Sequence, residues 1–111
     1  MTTLEAKMSG NEVDTLFLVA AENEAKKLNI TFSVRAKELI QENVLPKLRK
    51  AHDEGKLVER YDEVVGNARK FVDILYSQQL HGKPGEITTD LISDLLSKIC
   101  QLYPDFFPFC P

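Results

Sequence analysis

The sequence predicts an all-α protein, an up-and-down four-helix bundle with a short C-terminal tail rich in proline and phenylalanine. Four stretches of apolar residues recur at steps of three and four, the spacing that places them on one face of an α-helix. Short connections separate these stretches, which makes successive helices antiparallel neighbours. The composition, 43% hydrophobic and 28% charged with five glycines and five prolines, is typical of a chain that buries a core. A helical hairpin pair that completes its core only as a dimer is the alternative.

The first predicted helix runs from Asn11 or Glu12 to Leu28. Asn11 is the expected N-cap, because its side-chain oxygen can accept a hydrogen bond from an unpaired N–H group of the first turn. Asn29 is expected to close the helix in the left-handed conformation. Residues 1–10 are expected to form a flexible N-terminus. The apolar stripe, interrupted only by Glu24, consists of Val13, Leu16, Phe17, Ala20, Ala21 and Leu28.

A short β-prone connector, Ile30 to Phe32, precedes the second predicted helix, which Ser33 is expected to cap. Pro46 lies within the apolar stripe of this helix. Proline inside a helix removes one hydrogen bond and clashes with the preceding turn, at a cost of about 3 kcal/mol. Either the helix kinks near Glu42, or one helix ends about Asn43 and another begins at Pro46. The stripe continues in phase across the proline and favours the kink.

The third predicted helix, from Leu57 to Leu75, follows a turn at residues 52–55 and has the strongest periodicity. Its apolar residues alternate steps of four and three, and three valines spaced seven apart form a second row beside them. A stripe this wide cannot be covered by one partner, so we expect this helix at the centre of the fold. Gly66 is expected to let another helix approach closely.

A break at Leu80–Gly85 precedes the fourth predicted helix, which Thr88 is expected to cap and Pro104 to end. Ile87 and Ile92 are placed to form a hydrophobic staple across its first turn. The buried face of this helix is predicted to consist of Leu91, Ile92, Leu95, Leu96, Ile99, Leu102 and Tyr103.

Charge and hydropathy exclude several classes of protein. The net charge is −3, from 14 basic and 17 acidic residues, which disfavours a surface coated with positive charge for nucleic acid or anionic membrane. The longest apolar run, Leu16 to Ala21, is six residues. A membrane-spanning helix needs about 20 apolar residues, and a signal peptide needs about 7–15. We therefore expect one domain over residues 1–111, no membrane contact and a cytoplasmic location.

The two cysteines, Cys100 and Cys110, are fewer than a small secreted domain held by disulfides would carry. Cys100 falls within the apolar pattern of the fourth helix, where a free cysteine behaves as a small hydrophobic residue. The favoured interpretation is two reduced thiols. A disulfide between them that pins the tail is the alternative.

The sequence shows no arrangement of residues typical of an enzyme or a bound cofactor. Neither His52 nor His81 follows a glutamate by three residues, as a di-iron bundle requires, and the histidines and cysteines lack zinc-site spacing. Gly82 and Gly85 are too few for a phosphate-binding loop. We predict no catalytic residue, no metal ligand and no cofactor.

The C-terminal tail, residues 104–111, is the first candidate binding surface. It contains Phe106, Phe107 and Phe109 among three prolines that exclude a continuing helix. Three exposed rings would form an apolar patch of the size that usually binds a partner. The tail either folds back as a lid that buries Phe106 and Phe107, or enters a groove on another protein or on a second copy of the chain.

The second candidate surface is a basic cluster around the turn between helices two and three, formed by Lys47, Arg49, Lys50, Lys56 and Arg60. Such a cluster can hold the phosphates of a nucleic acid. Acidic residues are interleaved with it, however, and this mixture is typical of a solvated helix surface. The leading hypothesis is a small cytoplasmic protein-interaction module, an adaptor, inhibitor or structural subunit without catalytic activity. A nucleic-acid-associated subunit that uses the basic cluster is the alternative.

Overall fold

The computed structural model describes residues 10–54, 61–106 and 110, and it is mostly helical. Only Val44 separates α2 from α3, and a π-helical turn continues α4, so the helices form four rods. Rod one is α1, rod two is α2 with α3, rod three is α4 with the π turn, and rod four is α5. The elements in chain order are α1 (Gly10–Lys27), β1 (Ile30–Phe32), α2 (Val34–Asn43), α3 (Leu45–Asp53), α4 (Tyr61–Ile74), the π turn (Leu75–Gln79), β2 (Gly85–Ile87) and α5 (Thr89–Leu102).

A two-stranded parallel sheet joins the two halves of the chain. β1 connects rods one and two, β2 connects rods three and four, and Ile30 lies opposite Gly85 in their register. The sequence indicates a β-prone connector at residues 30–32 and predicts no strand at residues 85–87. The fold therefore consists of two helix–strand–helix units placed side by side.

Each strand is followed directly by a hydroxyl residue that caps the next helix. Ser33 Oγ accepts a hydrogen bond from the N–H of Ala36 at 3.0 Å, and Thr88 Oγ1 accepts one from the N–H of Leu91 at 3.4 Å. The backbone N–H of Ser33 also donates to the carbonyl oxygen of Ile87, which extends the sheet by one bond. Both predicted N-caps are confirmed.

Rods one and three make the most extensive contact in the described part of the fold. Both rods lead into a strand of the parallel sheet. In an up-and-down bundle each helix packs against its neighbour in the chain, whereas rods one and three are not consecutive, and the four-helix up-and-down arrangement is not confirmed. The rings of Phe17 in α1 and Phe71 in α4 lie 6.2 Å apart between their centroids. Both residues are fully buried, so the third predicted helix contributes to the core, and its central position stays a prediction.

Rod two is interrupted at Val44, and the interpretation of a kink near Glu42 is wrong. α2 ends at Asn43 and α3 begins at Leu45, as the alternative of two separate helices expected. Pro46 is thus in the first turn of α3, where a missing N–H group leaves no hydrogen bond unmade. The apolar stripe continues in phase because Val44 keeps a right-handed helical conformation.

Three further expectations about single residues are wrong. Gly66 is exposed, and a Cβ atom placed there meets no described atom within 4 Å, so no helix approaches it. Leu102 is 44% exposed because the buried stripe of α5 continues from Ile99 to Tyr103, four residues on. Asn11 lies inside α1, which begins at Gly10, and so does not precede the helix as an N-cap.

The connection between rods three and four is held by a buried glutamine. Gln79 Nε2 donates hydrogen bonds to the carbonyl oxygen of Leu91 at 2.8 Å and to Asp94 Oδ2 at 2.9 Å. The hydrogen bond from Gln79 and the nearby Lys98 ammonium lower the pKa of Asp94 below its ordinary value. These bonds attach the π turn to α5 where the chain reverses.

Left-handed residues end rods one and three. Asn29 has a φ of 57°, as expected for the residue that closes the first helix. His81 and Gly82 have φ values of 56° and 76° within the predicted break. Both connections therefore reverse direction through positive φ before entering their strand.

Candidate functional site

An open groove with both apolar and polar walls lies between α1 and rod two. Its volume is about 590 Å³. We call it the α1–α3 groove. It is lined by Asp14, Thr15, Leu18, Gln41, Leu45, Pro46 and Arg49.

The break in rod two forms one wall of this groove. Leu45 and Pro46 lie at the start of α3, directly after the interruption, and Gln41 lies in the last turn of α2. Pro46 is exposed, and its ring adds apolar surface to this wall. The proline is the one sequence signal that marks this position.

An ion pair forms part of the lining of the groove. Arg49 Nε donates to Asp14 Oδ2 at 2.6 Å, with the Asp14 side chain 15% exposed and the Arg49 side chain 51% exposed. Asp14 Oδ1 is buried and accepts no hydrogen bond from any residue in the described ranges. A largely buried carboxylate depends on a charged partner, so the pair ties α1 to α3. Sequence alone could not find it, because the two residues are 35 positions apart.

The basic cluster is only partly within the described residues. Lys47, Arg49 and Lys50 are exposed on α3, whereas Lys56 and Arg60 lie outside the described ranges. Arg49 is engaged by Asp14. Two lysines of the predicted cluster therefore present an exposed positive charge beside the groove.

The C-terminal segment places its first phenylalanine in the core. Phe106 is 2% exposed, which is the placement expected of a lid. Its backbone N–H donates to the carbonyl oxygen of Tyr103 at 3.0 Å, and Lys70 Nζ lies 4.6 Å from the centroid of its ring. Phe107 and Phe109 lie outside the described residues.

A disulfide joins Cys100 in α5 to Cys110, with the two Cα atoms 5.3 Å apart. The favoured interpretation of two reduced thiols is wrong, because the chain turns back at residues 103–106 and returns Cys110 to α5. Cys110 is 5% exposed, and its backbone N–H donates to the carbonyl oxygen of Phe106 at 3.0 Å. The segment is thus fastened at both Phe106 and Cys110.

Two carboxyl groups meet on the surface between α1 and α4. Partial burial, a hydrogen bond with Glu24 and the negative charge of Glu24 raise the pKa of Asp73 to about 6, against smaller opposing effects from Arg69 and Lys27. Glu24 is the residue that interrupts the apolar stripe of the first helix, and this interruption is the sequence signal for the pair. The pair gives the fold a group that titrates well above the usual range of a carboxyl.

The described residues contain no group of three or more histidine, cysteine or acidic side chains that could hold a metal ion. No protein-family model, curated protein or solved structure matches the chain. Any functional proposal therefore depends on three features: the α1–α3 groove, the exposed lysines and the C-terminal segment.

Proposed function

We propose that this chain is a small protein-interaction module that binds a short peptide segment of another protein in the α1–α3 groove. The observation that carries the proposal is the combination of apolar and hydrogen-bonding walls in one open cleft. Leu18, Leu45 and Pro46 supply the apolar part, and the exposed Thr15 and Gln41 supply the hydrogen-bonding groups. The volume of about 590 Å³ is within the range of about 300–1,000 Å³ typical of binding clefts.

The walls indicate which peptide would fit. One apolar side chain would anchor between Leu18 and Pro46, while Thr15 and Gln41 would bond the extended backbone beside it. Lys47, on the same helix as Pro46, adds positive charge next to the groove. Opposite charges steer association and set specificity, so we expect the preferred peptide to carry an apolar anchor flanked by acidic residues.

The C-terminal tail is a weaker candidate for the interaction. Phe106 is buried and Cys110 is held by the disulfide, so neither supports a freely extended docking peptide. Phe107 and Phe109 stay predictions as partner-binding residues. Binding to a second copy of the chain also stays a prediction.

The nucleic-acid hypothesis is supported by the exposed Lys47 and Lys50. The net charge of −3 and the pairing of Arg49 with Asp14 weigh against it. Phosphate binding falls steeply with salt, so retention on RNA that disappears with rising salt and with Lys47→Ala/Lys50→Ala would favour this function over the first.

A cytoplasmic location and the lack of catalytic activity are part of the same proposal. In the described ranges, no helix is both long and apolar enough to cross a bilayer. The presence of the protein in a cytoplasmic fraction, measured with antibodies after cell fractionation, would support the proposed location.

Selection from a library of short displayed peptides tests the proposed interaction. The full-length chain should enrich peptides with an apolar anchor and acidic flanks. Gln41→Trp should weaken their binding by at least about tenfold, or 1.4 kcal/mol, because the indole would fill the groove from an exposed position on α2.

Ser93→Trp is the matched control, since Ser93 is exposed on α5 and does not line the groove. It should leave peptide binding unchanged. Equal binding by the Gln41→Trp variant and the control would contradict the groove as the binding site. A library that yields no binder would contradict the interaction itself.

A further inference from the structure

We propose that the outer face of α4 binds a second copy of this chain, with the two α4 helices antiparallel and crossing at Gly66. Steps of three and four along a helix place residues on one face. The residues on this face, which we call the α4 face, are all exposed, and they are Asp62, Glu63, Gly66, Arg69 and Lys70. In a two-fold dimer the same patch is used by both copies.

The glycine at the centre of the α4 face is not required by the fold of the single chain. Gly66 lies in the interior of α4, where glycine is a poor helix former. It does not have the positive φ that would require glycine, and a Cβ atom placed there meets no described atom within 4 Å. Because the side chains at a contact set the distance between two packed helices, Gly66 allows a second helix to come close. The second copy supplies that helix.

The charges on the α4 face complement one another in an antiparallel pair. The acidic residues Asp62 and Glu63 lie one turn before Gly66, and the basic residues Arg69 and Lys70 lie one turn after it. When two α4 helices cross at Gly66 in opposite directions, the acidic end of each lies beside the basic end of the other. In a parallel pair, like charges would meet and repel. The charge pattern therefore favours the antiparallel dimer.

The two ends of the α4 face are joined most directly by one pair of residues. Asp62 and Arg69 are seven positions apart, which places them on the same side of the helix, so Asp62 of each copy faces Arg69 of the other. Arg69 also lines a small cleft between α1 and α4, of about 60 Å³, together with Val19. Val19 is 49% exposed and adds apolar surface beside the charges. Lys70 lies 4.6 Å from the ring centroid of Phe106, so the Asp62–Arg69 pair is the better one to change in a test.

The size of the α4 face determines the strength of the dimer. A stable interface buries about 800 Å² on each partner, and the crossing of two single helices covers less. Exposed ion pairs are individually weak and are screened by salt. We therefore expect a reversible dimer with a dissociation constant in the micromolar to millimolar range, which rises with salt. The α4 face shares no residue with the lining of the α1–α3 groove, so the dimer does not depend on peptide binding there.

Sedimentation equilibrium of the full-length chain tests the proposal. The wild type should form dimers, and Asp62→Lys or Arg69→Glu alone should raise the dissociation constant at least about tenfold, because each places like charges in contact. An equimolar mixture of the two variants should associate as the wild type does, since both contacts of the mixed dimer then join opposite charges.

Asp90→Lys is the matched control for Asp62→Lys. Asp90 is exposed and is the second residue of α5, as Asp62 is of α4, so the variant makes the same change of charge at the same position of another helix. It should dimerise as the wild type does.

Gly66→Gln separates association from folding. The larger side chain prevents the close approach and should raise the dissociation constant at least about tenfold. Glutamine is a better helix former than glycine, so the Tm of the dilute, monomeric chain should rise by about 2–4 °C. Lost association in this variant would thus not result from unfolding.

A wild type that stays monomeric up to about 1 mM would overturn the proposal. So would Gly66→Gln chains that associate as the wild type does, or a mixture of the two charge variants that stays monomeric. Each of these results concerns the α4 face alone, so failure here leaves the test of the groove unaffected.

Discussion

Truncation of Phe71 to alanine tests whether rod three is the centre of the fold. Phe71 is fully buried, and its ring meets that of Phe17 at 6.2 Å with a 48° angle between the planes. It thus lies in the contact between α1 and α4, the most extensive one described. Replacing a buried phenylalanine with alanine removes the transfer free energy of the ring and leaves a cavity, for a loss of about 3–5 kcal/mol.

This loss is large for a chain of 111 residues. At about 2.1 cal/mol/K per residue, the entropy of unfolding is about 0.23 kcal/mol/K, so the expected fall in Tm is about 13–21 °C. Thermal unfolding followed by far-ultraviolet circular dichroism measures it directly. The disulfide should be kept oxidised throughout, because its reduction would also change stability.

Val19→Ala is the matched control for Phe71→Ala. Val19 is on α1 and is 49% exposed, so its truncation should change stability by only about 0.5 kcal/mol, or roughly 2 °C. A Phe71→Ala variant that unfolds within the same 2 °C of the wild type would refute the central placement of rod three.

Three further predictions concern charges and caps. Asp73→Asn should flatten the pH dependence of Tm between pH 4 and 7. In the folded wild type the pKa of the Asp73 carboxyl is raised from 3.8 to about 6 beside Glu24. The protonated carboxyl therefore stabilises the folded state below pH 3.8, and this contribution is lost as the pH rises through 6. The change in stability should stay below about 1 kcal/mol, because solvent screens an exposed carboxyl; an unchanged pH profile would contradict it. Arg49→Ala should lower the free energy of unfolding in urea by about 1–3 kcal/mol, because it removes the ion-pair partner of the largely buried Asp14 carboxylate. The double variant Asp14→Ala/Arg49→Ala should recover part of this loss. Thr88→Ala should lower the same free energy by about 1 kcal/mol through loss of the N-cap, and a neutral result would show that this cap contributes no stability.

The helices were accessible from sequence because helical periodicity is a local property. The steps of three and four in the apolar residues placed all four rods, and the hydroxyls of Ser33 and Thr88 marked the starts of two helices within one residue. Asn29 was also identified, since few residue types other than glycine adopt positive φ at a helix end. These features depend on neighbours a few positions away.

Contacts between segments far apart in the chain could not be predicted from the sequence in this way. A three-residue strand is too short to show a period of two, so β2 could not be recognised as a partner of β1. The groove requires α1 to meet rod two at the break before Pro46, and its ion pair joins residues 35 positions apart. The disulfide depends on the reversal of the chain after Tyr103, and a spacing of ten between two cysteines indicates neither bonding nor its absence.

Nuclear magnetic resonance mapping of the selected peptide on the isotope-labelled full-length chain tests the central functional claim most directly. We expect the largest shifts at the amides of Thr15, Leu18 and Gln41, together with those of α3, and we expect Gln41→Trp to abolish them. Shifts concentrated instead at Phe106 and Cys110, with the groove amides unmoved, would place binding on the C-terminal segment and contradict the assignment of the interaction to the α1–α3 groove.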